Sequence, residues 1–70
     1  MHLTEIYDQY YQRVRKFILH TVRNEWVADD LVQETFIRAF GRLHTFDLER
    51  PFLPWIKRVA ANLCLNHLAA

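Results

Sequence analysis

Seventy residues allow one small domain with a single modest core. About half of them are apolar (51%), which excludes a disordered chain, and one Gly with two Pro leaves few tight turns, so the expected class is all-α. A formal charge of +1 means that bulk electrostatics alone do not point to nucleic acid.

In chain order, Leu3, Tyr7, Tyr10, Val14, Phe17, Ile18 and Thr21 recur on one face of a helix expected over about 4–23, with Thr4 as its N-cap. Arg13, Arg15, Lys16 and Arg23 point elsewhere and read as a solvated face. Asn24 breaks the pattern and can cap a second helix over about 25–43, whose first two turns hold Glu25, Asp29 and Asp30 near the positive end of the helix dipole. Trp26, before that pattern settles, is expected to pack between helices.

The second helix has two faces. Val32, Phe36, Ala39 and Leu43 fall on one side, with Leu31 and Thr35 at its margin. Asp30, Glu34, Arg38 and Gly41 fall on the other, with Gln33 at its edge and Ile37 in the middle. An isoleucine ringed by acid, amide and guanidinium suits a docking surface better than a solvated rim.

Residues 44–51 carry no periodicity and read as a loop. Pro51 and Pro54 bracket the start of a third helix over about 52–68, where missing N–H groups cost little. Leu53, Ile56, Val59, Ala60, Leu63 and Cys64 make its buried stripe. Trp55, Arg58, Asn62 and Asn66 lie off that stripe, and they offer a ring, a guanidinium and two amides to unstacked bases. The bland alternative has Trp55 capping the core and the polar residues merely solvated. Acid is concentrated in the middle element (Asp29, Asp30, Glu34), whereas residues 52–70 carry Lys57 and Arg58 and no acid.

Cys64 is alone, so no internal disulfide forms, and it reads as a small buried thiol in a reducing compartment. His2, His20, His44 and His67 are scattered, and no metal site or cofactor is expected. The first residues lack the basic and apolar regions of a signal peptide, and no apolar run is long enough for a membrane span, so a cytoplasmic protein without membrane contact is expected. No paired carboxylates, Gly-rich phosphate loop or metal spacing suggests an enzyme.

The run Asp29-Asp30-Leu31-Val32-Gln33-Glu34-Thr35-Phe36-Ile37-Arg38-Ala39-Phe40, then Phe46-Asp47, then Arg50-Pro51-Phe52-Leu53-Pro54-Trp55-Ile56-Lys57-Arg58-Val59-Ala60-Ala61-Asn62-Leu63, closely resembles region 2 of bacterial sigma factors of the extracytoplasmic-function (ECF) group. Three motifs in order, from about Tyr7 to Leu68, carry the resemblance. It implies a compact three-helix bundle. It also implies that Asp30, Gln33, Glu34, Ile37 and Arg38 dock on the clamp helices of the RNA polymerase beta-prime subunit.

The loop with His44, Thr45, Phe46 and Asp47 corresponds to the family's segment that captures a flipped base of the minus-ten promoter element, on the non-template strand. Trp55, Lys57, Arg58, Asn62 and Asn66 of the third helix would face the melting DNA, and an anti-sigma factor is a further implied partner. Relatives often place Arg at position 61 and Asp at position 66, where this chain has Ala and Asn. Region 4 of the family is expected to be absent, as in a domain excised from a longer protein. Two other functions compete: a protein-docking module that does not read DNA by itself, and a generic helix-turn-helix domain. The long second connection and the lack of a basic recognition helix count against the latter.

Overall fold

The computed structural model describes residues 2–70, and three helices and one short 3-10 turn account for most of them. Helix α1 spans Leu3–Val22, α2 spans Glu25–Gly41, and α3 spans Phe52–Ala69. Each helix packs against the other two, giving an all-α three-helix bundle. The long dimension of 32 Å is about that of a 20-residue helix, roughly 30 Å at 1.5 Å per residue, so α1 sets the length of the domain.

The core is one cluster in which Val14 and Ile18 of α1 meet Ala28, Val32, Phe36 and Ala39 of α2 and Ile56, Ala60 and Cys64 of α3. Four of these nine residues are Ala or Cys, and small side chains let helix backbones approach closely. Thr35 is also fully buried, and its hydroxyl is satisfied by donating to the Leu31 carbonyl at 2.7 Å. Cys64 is buried and free, as its place on the apolar stripe implied.

Asn24 caps α2 as expected, its side-chain oxygen accepting from the Val27 N–H at 3.1 Å. Only Arg23 and Asn24 separate α1 from α2, a connection short enough to hold the two helices as antiparallel neighbours. Arg23 closes α1 in the left-handed region (φ 56°), and its N–H donates to the Leu19 carbonyl at 2.8 Å.

Several sequence expectations need correction. Thr4 is not the cap of α1: the helix already begins at Leu3, with His2 as an N-cap that makes no side-chain bond. Leu3 (46% exposed) and Thr21 lie on the apolar stripe by angle, yet both are exposed, and Ile6 is buried instead. The stripe is right in angle, but α1 is longer than its partners and its ends have nothing over them. α2 stops at Gly41 rather than near Leu43, and Leu43–Thr45 tighten into a 3-10 turn. Trp26 does not pack between helices; it is 82% exposed on the side of α2 away from the core.

Candidate functional site

Two surfaces deserve the name of site, and the bundle holds them apart. The first is the outer face of α2. The core takes Ala28, Val32, Thr35, Phe36 and Ala39, which leaves Asp30, Gln33, Glu34, Ile37 and Arg38 on the opposite side. Ile37 is 65% exposed there.

Its polar neighbours are fixed rather than loose. Arg38 Nε donates to Glu34 Oε1 at 2.8 Å, an i,i+4 pair along the helix. Gln33 Nε2 donates to the Tyr7 hydroxyl at 3.2 Å, which ties the edge of this face to α1. On the same edge, Arg15 Nε donates to Asp29 Oδ1 at 2.8 Å. That hydrogen bond is the main cause of the raised pKa of the Arg15 guanidinium, so one of the α1 cations read as merely solvated is structural.

The second surface is a cavity of about 500 Å³ between the 44–51 loop and the first turns of α3, within the size range of small-ligand pockets (about 300–1,000 Å³). Thr45, Phe46, Asp47 and Arg50 of the loop line it with Pro51, Pro54, Trp55 and Arg58 at the start of α3. The loop is held by its own bonds. Thr45 Oγ1 donates to the Arg42 carbonyl at 2.7 Å, Asp47 Oδ1 accepts the Glu49 N–H at 3.0 Å, and the Asp47 carbonyl accepts the Arg50 N–H at 3.0 Å.

Aromatic contacts fasten the loop to the bundle. The Phe46 ring lies 4.9 Å from Trp55 and 5.5 Å from Phe52, centroid to centroid, and Phe52 in turn lies 4.9 Å from Tyr10 of α1. Trp55 packs against the core cluster, as the bland alternative has it, and also lines the cavity. Arg50 and Arg58 supply two cations and Asp47 one anion, with Arg50 Nε 3.7 Å from Asp47 Oδ2. An aromatic wall beside guanidinium groups can stack a planar base and meet its phosphate.

Trp55, Arg58, Asn62 and Asn66 share one side of α3 but divide between two concavities. Trp55 and Arg58 belong to the loop cavity. Asn62 and Asn66 lie further along α3 in a second concavity, with Leu65 and with Arg38 and Arg42 from the end of α2. Trp55 and Asn66 are eleven residues apart, roughly 16 Å along the axis, so one side of α3 meets the loop at one end and α2 at the other.

Lys57 departs further. Its Nζ lies 5.5 Å from the centroid of the Phe17 ring, in a groove with Arg13, Lys16, His20 and Leu53 between α1 and α3. His44 is exposed and lies outside the cavity lining. Arg42 and Arg50 were missed as site residues, although the adjacency of Arg50 to the Pro51 that opens α3 was a usable signal. Among the described residues no cluster of three or more His, Cys, Asp or Glu could hold a metal ion.

The three-helix domain thus presents an exposed face of α2 and an aromatic, cationic cavity. Its residues 6–70 match the family model described as sigma-70 region 2. The chain belongs to the sigma-70 region 2 family.

It is 35% identical over 68 residues to the ECF RNA polymerase sigma factor SigM of Bacillus subtilis (strain 168), covering 97% of this chain and 41% of that protein. With the ECF RNA polymerase sigma factor BldN of Streptomyces coelicolor it shares 40% over 63 residues, 89% of this chain and 24% of the relative. With SigW of Bacillus subtilis, also named an ECF RNA polymerase sigma factor, it shares 33% over 64 residues, 91% of this chain and 34% of the relative. The chain thus spans less than half the length of each of these relatives. No solved structure gives a significant match.

Proposed function

We propose that this domain acts in transcription initiation, docking on the RNA polymerase beta-prime clamp helices through the outer face of α2 and holding single-stranded promoter DNA of the minus-ten element at the loop and α3. Asp30, Gln33, Glu34, Ile37 and Arg38 make the docking face. Thr45, Phe46, Asp47, Trp55 and Arg58 receive an unstacked base, and Asn62 and Asn66, beside Arg42, meet the strand further along α3. His44 stands at the loop margin. Lys57, on the α1 side, acts on the phosphate backbone.

The observation that carries this proposal is the cavity lined by the touching rings of Phe46 and Trp55 together with Arg50 and Arg58. Melting a duplex costs a few kcal/mol per unstacked base, and stacking on aromatic rings offsets that at about 1–3 kcal/mol per base. Watson–Crick edges become readable only once the strands separate. Bond-making chemistry is left to the polymerase. Among the described residues no helix is long and apolar enough to cross a membrane. The reading places the domain beside polymerase in the cytoplasm, where an anti-sigma factor would cover either face.

One observation favours a second reading, a docking module without independent DNA recognition: the net charge of only +1, which provides little sequence-independent attraction to phosphates. One experiment separates the two. The domain is titrated with fluorescent single strands carrying the minus-ten sequence or a scrambled one, with and without a beta-prime clamp-helix fragment. The proposal expects preference for the minus-ten strand, weakened by Trp55→Ala and Asn62→Ala, and clamp-helix binding weakened by Ile37→Glu and Glu34→Arg at unchanged helicity. Equal affinity for both strands under all conditions refutes DNA reading by this domain.

A further inference from the structure

The outer side of α2 holds more than the five residues assigned to docking. Trp26 and Ile37 are 82% and 65% exposed. Eleven residues separate them, so at 100° per residue they stand about 20° apart and roughly 16 Å along the axis. Asp30 and Gln33 fall between them, also exposed. The spacing from Trp26 to Asp30 to Gln33 to Ile37 is four, three, four, which is the seam that one helix presents to another in a coiled coil. Every core residue of α2 lies on the opposite side, and Gln33, through its bond to the Tyr7 hydroxyl, ties the stripe to the bundle at its edge.

We propose that Trp26 is a second apolar anchor of the docking face, and that the seam Trp26–Asp30–Gln33–Ile37 receives one helix of the partner laid along α2. The proposal rests on the docking reading above and extends it toward the N-terminus of α2. The seam spacing selects a helix as occupant. Trp is among the residue types that dominate binding energy when buried at an interface, and here it is held out from the fold by the direction of the helix.

Charge specifies the partner further. Asp29 is engaged by Arg15 and Glu34 by Arg38, whereas Asp30 has no ion-pair partner among the described residues. The partner helix therefore places a cation opposite Asp30, between aliphatic side chains facing Trp26 and Ile37. A second copy of the chain fits poorly, since two such faces would each bring Asp30 to the seam and no cation free of an ion pair to meet it.

The test compares the wild-type chain, Trp26→Ala, Trp26→Phe and Ile37→Glu for binding to the beta-prime clamp-helix fragment by calorimetry, with circular dichroism and sedimentation of each. Trp26→Ala is expected to weaken binding by about tenfold or more, with helicity unchanged and the chain monomeric, and Trp26→Phe to recover most of the loss. Wild-type affinity in Trp26→Ala beside lost binding in Ile37→Glu overturns the seam and leaves the docking reading intact. Wild-type affinity in both variants removes the docking reading, and the seam with it. A wild-type dimer that Trp26→Ala dissolves also overturns the proposal, since the occupant is then a second copy.

Discussion

Phe46 is the pin of the 44–51 loop, and Phe46→Ala should show how that loop is held. The ring makes two aromatic contacts, with Trp55 at 4.9 Å and Phe52 at 5.5 Å, and lies outside the central core cluster. Each aromatic pair contributes about 0.5–1.5 kcal/mol beyond burial, so removing both costs about 1–3 kcal/mol. A 70-residue domain has roughly 4–10 kcal/mol of total stability, so the variant still folds. Urea denaturation should therefore show the midpoint falling by about 0.5–3 M, taking a slope near 1–2 kcal/mol/M.

The local effect is the sharper readout. The Arg50 N–H, bonded to the Asp47 carbonyl at 3.0 Å, should lose hydrogen-exchange protection, while α2 amides such as Phe36 and Ala39 keep theirs relative to the global value. Affinity for the minus-ten single strand should fall in step, because one wall of the cavity is gone. Phe46→Leu keeps apolar bulk without the ring and should recover part of the stability and little of the binding. A stability change under about 0.5 kcal/mol, or unchanged protection at Arg50, would refute the claim that the aromatic cluster fixes the loop.

Two further outcomes follow from single contacts. Asn24→Ala removes the bond to the Val27 N–H and should lower stability by about 1 kcal/mol in chemical denaturation, with Asn24→Asp losing only a few tenths; equal losses would show that the cap bond is not the cause. Burial pushes the Cys64 thiol up from its ordinary value, so the folded state favours the neutral form. Its contribution is complete below the ordinary thiol range and is lost as pH rises through the raised value. Urea midpoints measured from about pH 7 to 10 should fall more steeply in the wild type than in Cys64→Ala, and parallel curves would remove the effect.

The angular pattern of α2 and α3 could be read in advance because a helix repeats every 3.6 residues whatever surrounds it. Val32, Phe36 and Ala39 are buried, Ile37 is exposed, and Asn24 caps as its side chain allows. What periodicity omits is the neighbour at each height along the axis. Leu3 and Thr21 have the right angle and no partner above them, and one side of α3 divides between the loop at Trp55 and α2 at Asn66.

Lys57 and Trp26 are different cases. Lys57 stands about 200° from Trp55 at 100° per residue, so its separation from the cavity was available in the sequence. Trp26 precedes the run in which the α2 pattern settles, so the expectation of interhelical packing took no account of its angle. Extending the α2 pattern back by two turns would have set it opposite the core. The shape of the loop could not be foreseen, since it depends on Phe46 finding rings from another element.

Tyr10 and Tyr11 are adjacent in α1 yet lead in different directions. Tyr11 stands 6.5 Å from Phe36 of α2, and Tyr10 joins Phe52 and, through it, Phe46 of the loop. One turn of α1 thus acts as a protractor for the other elements, setting the angle between α2 and the loop at the start of α3. Under the proposed function, substitutions at this pair would change the spacing of the two surfaces without touching a residue of either.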